Sequence, residues 1–524
     1  VSARGATVPL VPRFPLDEGA EDLHTWLEVE EVLGFSKHID PSSKPPGHRV
    51  DYRQGTELRF GTEDPSQWPR RLGPLAGSQL LVDDFLVGEA RGLVRKLVSG
   101  EKLGVVVAAG ADDEPPGPSF YGNVLRVDGQ FVMFFVRYRG GKGVMARATS
   151  QDGLNWTQGE LLPSLVPDDI FQHEEGDLMN FPFHGESCIQ HDPNASDGYR
   201  FYTGVKCTDD TLCMLVSKDG STWENRGRKF GRATDTYPCI YKVGREYRGL
   251  IRHDFGRDEG NLWRAVRGVQ QLRGGLNGSL EGTREWYLDR YGSEEWRRRS
   301  LYALTRTEHE GMFLGLASVY EFPYGVASGR PFTTDIVRPY LVTSRDGERW
   351  NLDWIRSKSL VPSGGEADFD HGMVLPAADW VTHAGYHWLY YAGWNSQHEA
   401  HGAERGNIGL VRWRRDRLLE VTLAEDADNG ELLTKPFEVP LGTRALFVNA
   451  ACADGMISVH VLNSQSSSVL ASGSLAGIDD LDALVALTEN AVLPLSWSSL
   501  VGRSVRLRFT LSGQASLYAF RFVQ

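Results

Sequence analysis

Short runs of apolar residues, either continuous or alternating with polar residues, recur along most of the chain and are separated by turn residues. Residues 121–127 and 130–138 form one such pair, and Asp128-Gly129 between them is typical of a tight hairpin turn. Residues 371–376 and 386–391 repeat this opening pair much later in the chain. The lengths of the runs suit strands better than helices. The pattern therefore predicts an all-β protein.

A seven-residue pattern, S-x-D-G-x-x-W, returns at regular spacing. Its copies begin at Ser150, Ser217 and Ser344, and a degenerate copy that begins at Ser279 has Glu in place of Asp and one extra residue before its Trp. In each copy we expect a tight Asp-Gly turn whose backbone is held by the Ser and Asp side chains, with the Trp packed beneath the next strand. The spacing indicates repeated units of about 65 residues.

Four-stranded units of this length are typical of propeller blades, and a fifth unit follows the last copy. We therefore expect a five-bladed β-propeller over residues 78–428, with residues 79–87 as the outer strand of the last blade. Alternating runs predict a C-terminal β-sandwich over residues 429–524. Residues 1–77 would form an extension that packs on the propeller and carries a short helix at residues 23–33.

Composition and charge exclude several classes of protein. The 56 Lys and Arg against 69 Asp and Glu give a formal net charge of −13, so little positive charge is available to neutralise nucleic-acid phosphates. The apolar stretches, residues 105–109 among them, are far shorter than the roughly 20 residues of a membrane helix. We therefore expect neither a nucleic-acid nor a membrane partner. The five cysteines contain no C-x-x-C motif, and their pairing stays open.

Aligning the inner strands of the units places polar side chains at one mouth of the central channel. Carboxylates from different blades suit glycosidic cleavage, in which one donates a proton and another attacks the sugar or activates water. Their crowding would raise the pKa of one of them toward neutrality. The candidate catalytic residues are Glu186, Asp235 and Asp370. The candidate substrate-binding residues are Tyr121, Asn123, His184, Tyr302, His371, Trp394 and His398.

No cofactor is predicted. The histidines lack the H-x-x-x-H spacing of a catalytic zinc helix, and neither a phosphate-binding glycine loop nor a G-x-S-x-G nucleophile motif occurs. An alternative for the channel carboxylates is a structural role, either at strand ends or as ligands of a Ca²⁺ ion.

Three features together resemble the five-bladed propeller glycosidases. They are the S-x-D-G-x-x-W repeat, Asp235-Thr236 at blade three and F-D-H-G-M-V at residues 369–374. This group comprises the sucrose- and fructan-acting family 32-like hydrolases and the arabinan- and xylan-acting family 43-like hydrolases. Residues 502–511 and 517–522 are similar to the β-sandwich that ends many family 32-like members.

The resemblance implies a secreted glycosidase, extracellular or periplasmic, acting on a furanoside-type or related oligo- or polysaccharide. Those families place one acid on each of the first three blades. Blade one here offers Tyr121-Gly-Asn123 instead, so the acids would be recruited from Glu186, Asp235 and Asp370.

Other functions stay open on the same ring. A non-catalytic glycan-binding propeller would account for the missing acid of blade one. A sialidase-like enzyme would use a similar Asp-containing turn, together with three arginines that grip a carboxylate, for which Arg252, Arg306 and Arg338 are available. Sialidases need six blades, which argues against that class. A phosphorylase or lyase is the remaining alternative.

Overall fold

Strands make up nearly all of the regular structure. The computed structural model describes residues 57–61, 68–140, 142–162, 188–206, 211–232, 239–255, 266–275, 280–286, 299–321, 336–356, 358–396, 404–490 and 492–524. Within these residues the helical segments are two single 3₁₀ turns, Asp353–Arg356 and Trp497–Ser499. No helix among them is long and apolar enough to cross a membrane. The all-β class is confirmed, and the helix predicted at residues 23–33 lies outside the described part.

Five short strands come before the ring, and all of them belong to the large C-terminal sheet. They are β1 (Glu57–Arg59), β2 (Leu72–Pro74), β3 (Gln79–Leu80), β4 (Val87–Arg91) and β5 (Leu93–Leu97). The next strand, β6 (Glu101–Val107), is the first that joins the ring.

Blades one to three are four-stranded antiparallel sheets whose strands follow chain order. Blade one contains β7 (Val124–Val127), β8 (Gln130–Arg139), β9 (Lys142–Ser150) and β10 (Glu160–Leu161). Blade two contains β11 (Gln190–His191), β12 (Phe201–Lys206), β13 (Thr211–Ser217) and β14 (Trp223–Arg232). Blade three contains β15 (Cys239–Val243), β16 (Glu246–Phe255), β17 (Val266–Gly275) and β18 (Glu281–Trp286).

The inner strands of blades four and five are each interrupted by a short irregular stretch. Blade four contains β19 (Arg299–Leu304), β20 (Thr307–His309), β21 (Met312–Glu321) and β22 (Ile336–Ser344), and both β19 and β20 pair with β21. Blade five contains β23 (Met373–Pro376), β24 (Val381–His383), β25 (Tyr386–Trp394) and β26 (Asn407–Arg414). Strand β6 pairs with β26 and completes this blade. The five-bladed propeller is confirmed.

The strand that completes blade five is not the predicted one. Residues 79–87 were the expected outer strand, but β3 pairs with the C-terminal sheet instead. An outer strand has one solvated face, whereas this segment is covered on both sides. Leu80 and Val82 pack into the core of the ring, and Leu81 packs into the core of the sheet. Most residues of β6 are exposed or half-buried, which suits the outer edge of a blade.

The C-terminal part is one mainly antiparallel sheet of 14 strands around an apolar core. Its remaining strands are β27 (Leu419–Leu423), β28 (Asn429–Thr434), β29 (Phe437–Glu438), β30 (Ala445–Asn463), β31 (Val469–Ala476), β32 (Asp479–Leu484), β33 (Thr488–Glu489), β34 (Leu493–Pro494) and β35 (Ser504–Val523). The two longest, β30 and β35, pair along almost their whole length. Alternate residues of β35 are buried over most of that strand, which gives the sheet its apolar face.

The boundaries of the ring therefore differ from the predicted residues 78–428. The ring strands span Glu101 to Arg414, while β3, β4, β5 and β27 pair within the C-terminal sheet. The reason is geometric. Because β6 and β26 are neighbours, the segments just before and just after the ring leave it side by side, and β5 pairs with β27 there.

The S-x-D-G-x-x-W motif forms the predicted turn, which leads into the fourth strand in blades one and two. In blade two, Ser217 Oγ accepts the Gly220 N–H at 2.8 Å, and Asp219 Oδ1 accepts the next two backbone N–H groups at 2.8 Å each. Gly220 has a φ of +78°, a conformation that favours glycine. The buried Trp223 indole donates to the Gly220 carbonyl at 3.2 Å. The predicted hydrogen bonds of the turn are confirmed, whereas Trp223 is the first residue of the next strand, β14, and packs against Phe134 of blade one.

The other copies show which parts of the motif matter. The copy at Ser344 keeps the Ser and Asp hydrogen bonds, whereas the buried Trp350 Nε1 finds no acceptor among the described residues. The degenerate copy predicted at residues 279–286 is not such a turn, because Glu281–Trp286 is strand β18. The longer Glu side chain is poorly suited to bond the backbone two and three residues ahead, as Asp does.

Ser217→Ala should lower the free energy of unfolding by about 1–2 kcal/mol, because it leaves the buried Gly220 N–H without its acceptor. Chemical denaturation measures the change. Ser196→Ala, at an exposed turn of the same blade, is the matched control and should change stability by less than about 0.5 kcal/mol. Equal effects of the two substitutions would contradict a stabilising role for the turn.

A buried cluster of His309, His387 and Asp416, which we call the His–Asp cluster, holds blades four and five to the segments that lead into the C-terminal sheet. His309 Nε2 donates to Asp416 Oδ1 at 2.5 Å, and His387 Nε2 accepts the Asp416 backbone N–H at 2.9 Å. Ser78 Oγ donates to the second carboxylate oxygen at 2.8 Å. The three side chains are of metal-binding type, but hydrogen bonds already use these atoms. We therefore assign the cluster a structural role.

The His–Asp cluster makes the fold sensitive to acid. Burial opposes ionisation of Asp416, but the hydrogen bonds and charges of His309 and His387 together outweigh it and lower the pKa. Burial also lowers the pKa of His387 from its ordinary 6.5. As the pH falls below 6.5, the unfolded chain gains protons that the folded chain resists, so the contribution of the cluster to stability is lost toward acid pH.

Asp416→Asn should lower the free energy of unfolding by about 1–3 kcal/mol at pH 7, because the charge-assisted bond to His309 is lost. Asn tolerates the φ of +63° at this position, so backbone strain would not explain the loss. Thermal or urea unfolding measures it. Asp426→Asn, in an exposed turn, is the control, and a loss no larger than the control's would rule out the assigned role.

Candidate functional site

Two tyrosines meet across the central channel. Tyr121 precedes β7 of blade one and Tyr302 lies in β19 of blade four, yet their hydroxyl oxygens are 3.3 Å apart. Blades one and four are not neighbours in a ring of five, so this pair spans the channel. Arg252 of blade three lies above the Tyr302 ring, 5.7 Å from its centroid. The structure thus brings together two of the residues predicted to bind substrate.

Asn123 ties three blades together just beyond this pair. It lies two residues after Tyr121, or about 7 Å along an extended chain. Its side chain exchanges two hydrogen bonds with the Ile189 backbone of blade two, at 2.8 and 3.1 Å. Its Nδ2 also donates to Asp379 Oδ2 of blade five at 3.1 Å. The fully buried Asn123 therefore fixes the position of a carboxylate in the channel.

Asp379 is the acid that this arrangement presents, and sequence reasoning missed it. It lies in the irregular stretch between β23 and β24, and its Oδ1 accepts from Thr307 Oγ1 of blade four at 3.0 Å. Burial raises the pKa of Asp379 to about 6, although the hydrogen bonds from Thr307 and Asn123 oppose the shift. A carboxyl group with this pKa can hold a proton near neutral pH, as a general acid must.

A disulfide between Cys188 and Cys239 joins the inner edges of blades two and three, with Cα atoms 4.8 Å apart. Cys213 is also disulfide-bonded, and Cys452 is a buried free thiol. In the sequence, Cys188 follows the candidate residues His184 and Glu186, and Cys239 follows the candidate residue Asp235. Four candidate residues lie outside the described residues: His184, Glu186, Asp235 and His398.

The structure places Asp370 in a buried ion pair. Its Oδ2 accepts from Lys102 Nζ at 2.6 Å and from Tyr391 Oη at 2.9 Å. Lys102 lies on β6, the outer strand of blade five, and its ammonium also donates to the Pro362 carbonyl at 2.7 Å. The Phe369 ring stacks on Tyr391 with centroids 5.8 Å apart. The Asp370 carboxylate is therefore held toward the body of blade five.

His371 and Trp394 are placed very differently from each other. His371 is exposed, with its Nδ1 3.2 Å from the Gly364 carbonyl oxygen, so its ring is accessible to a ligand. Trp394 is only 1% exposed, and its indole donates to the Pro116 carbonyl at 2.9 Å. The Trp394 ring thus packs against protein and anchors the loop that precedes blade one.

Other charged groups near the blade ends already have partners. Asp113 is fully buried and pairs with both Arg137 and Arg139. Arg338, one of three arginines considered for a sialidase-like site, pairs with the buried Glu321 at 2.9 Å. These groups are therefore engaged in structural ion pairs.

Comparison with known proteins finds only remote similarity. No protein-family model and no curated protein matches the sequence. Among solved structures, one described as a glycoside hydrolase is 12% identical with a TM-score of 0.39, covering 60% of this chain and 92% of that one. A family 43 arabinoxylan arabinofuranohydrolase from Bacillus subtilis, in complex with cellotetraose, is 10% identical with a TM-score of 0.34, covering 79% and 96%.

A third solved structure, an α-L-arabinofuranosidase from Podospora anserina in complex with cellotriose, is 10% identical to this chain. Its TM-score is 0.37, and the match covers 60% of this chain and 96% of that one. Similarities of this size carry no argument about activity.

Lys102→Met should lower the free energy of unfolding by about 1–3 kcal/mol, because it leaves the buried Asp370 carboxylate without its cation. Urea denaturation measures the change. Lys358→Met, which removes a surface ammonium that donates to Ser99, is the control. A Lys102→Met protein as stable as this control would mean that Asp370 does not depend on the ion pair and is free for chemistry.

Proposed function

We propose that this chain is a glycoside hydrolase whose site is the propeller channel, acting on a furanoside-type or related oligo- or polysaccharide. The observation that carries the proposal is Asp379. It is half-buried in the channel, held from two other blades by Asn123 and Thr307, and its pKa of about 6 suits proton donation near neutral pH. The Thr307 hydroxyl can turn to accept a hydrogen bond when the carboxyl is protonated.

We propose Glu186 and Asp235 as the other two acids, and the disulfide supports this choice. Glu186 stands two residues before Cys188 and Asp235 four residues before Cys239 in the sequence. Chain geometry keeps their Cα atoms within about 7 Å and 14 Å, respectively, of the linked cysteines. Because the link joins the inner edges of blades two and three, we propose that both carboxylates act on the same bound sugar.

In this mechanism one acid protonates the leaving glycosidic oxygen, while a second attacks the anomeric carbon or activates water. Asp379 either supplies this proton or shifts the pKa of the acid that supplies it. Tyr121, Tyr302 and the exposed His371 are proposed to orient the sugar, together with His184 and His398. Asp370 acts as a positioning residue, because its bonds to Lys102 and Tyr391 hold the segment that carries His371.

A non-catalytic glycan-binding propeller is the second candidate, and a specific observation favours it. The channel position of blade one carries Asn123, an amide, and the acids Asp113 and Asp370 are held in ion pairs. A site built in this way could bind sugar hydroxyl groups without cleaving a bond.

We also propose that the protein works in an extracellular or periplasmic compartment. The Cys188–Cys239 disulfide supports this location, because such bonds persist in oxidising environments and are rare in the cytosol.

Asp379→Asn, Glu186→Gln and Asp235→Asn should each reduce sugar release by about 100-fold or more, since each removes a carboxyl from proton transfer or attack. Reducing-sugar release from fructans, arabinans, xylans and algal polysaccharides measures the effect.

Asp379→Asn should remain folded, and at pH 7 at least as stable as wild type. Its folded pKa is raised from 3.8, so the charged carboxylate costs stability above that pH.

Asp128→Asn is the matched control, because it neutralises an exposed acid at a φ of +50° that Asn tolerates. It should leave sugar release unchanged. Full activity in all three site variants would refute the channel site. No release by wild type from any substrate, with binding retained, would favour the glycan-binding module.

A further inference from the structure

Arg306 occupies an unusual place in blade four. It lies in the irregular stretch between β19 and β20, one residue before Thr307, which bonds Asp379. Its guanidinium carbon lies 3.6 Å from the ring centroid of Tyr241 in blade three and 4.7 Å from that of Phe313. The two rings hold the guanidinium plane in a fixed orientation.

No carboxylate pairs with this guanidinium in the described part of the chain, and no hydrogen-bond acceptor contacts it there. Asp379 and Glu308 influence it electrostatically, yet both lie beyond ion-pairing distance. Two buried arginines elsewhere have carboxylate partners, Arg95 in Asp84 and Arg417 in Asp479. Arg306 is half-buried, and its five N–H donors call for acceptors that the described protein does not supply.

We propose that Arg306 is an oxyanion-binding residue of the channel, taking a carboxylate or phosphate group of a bound ligand. A planar guanidinium fixed on an aromatic ring presents two parallel N–H donors, which match the two oxygens of such a group. The neighbouring Asp379 adds little repulsion when it holds its proton.

Two sources could supply the oxyanion. One is the carboxylate of an acidic sugar residue in the substrate, and the other is inorganic phosphate that would replace water as the attacking group. Interpretation as a substrate subsite rests on the proposed glycosidic function, whereas anion binding itself does not. In the phosphate case the glycosidic bond breaks, the sugar joins a phosphate oxygen and the leaving oxygen takes the proton, so the step balances.

Calorimetric titration of the full chain with galacturonate, glucuronate, galactose and inorganic phosphate, at constant ionic strength, tests the proposal. At least one anion should bind more tightly than galactose. Arg306→Gln should weaken that binding by about 10- to 100-fold, and Arg306→Lys should weaken it less, because it keeps the charge but loses the planar pair of donors. Arg412→Gln, which removes a surface arginine that pairs with Glu101, is the control and should bind as wild type does.

Thermal unfolding without ligand shows whether each variant is folded. If Arg306→Gln does not fold, Arg306→Lys becomes the test variant. Preference for a uronate over galactose identifies an acidic-sugar subsite, and phosphate-dependent release of a sugar phosphate identifies phosphorolysis. Binding of no anion above galactose, or equal binding by the Arg306 variants and wild type, would overturn the proposal. If these variants lose anion binding and wild type releases no sugar, Arg306 would still be an anion-binding residue. The proposed hydrolase activity would then be refuted.

Discussion

Pairing of β6 with β26 is the constraint on which the rest of the molecule depends. A strand from ahead of blade one completes blade five, so the first and last blades are locked beside each other. Contacts between them exist only in the closed ring: the Ala378 N–H donates to the Gly122 carbonyl at 2.9 Å, and Asn123 bonds Asp379. The candidate site therefore belongs to the closed ring as a whole, because no single blade contains it.

Features of the fold that depend on only a few consecutive residues could be predicted from the sequence. The turn at Ser217 needs only seven residues, so its hydrogen bonds and the blade period follow from the pattern. The closing strand could not be predicted in the same way. Residues 79–87 and β6 both look like strands, and the choice depends on which of them the C-terminal sheet covers. Which segment the C-terminal sheet covers is decided by residues that are far away in the sequence.

The candidate site shows the same division. Tyr121 and Asn123 were found because two-residue alternation of an inner strand points both toward the channel. Asp379 was missed because it lies where the inner strand of blade five is interrupted, and alternation gives no direction there. Asp370 has the right residue type, but its partner Lys102 is 268 residues away in the sequence. Ion pairs between such distant positions leave no local signal.

The mixed origin of the C-terminal sheet also bears on how the protein is made. Leu80 pairs with Ala519, so the backbone of β3 is satisfied only after β35 has been synthesised. At translation rates of about 5–20 residues per second, this wait lasts roughly 20–90 s. Until blade five has also been made, this segment, which is apolar on both faces, has neither of its two cores to enter. Synthesis of β35 therefore decides when a segment roughly 440 residues earlier in the chain can leave solvent.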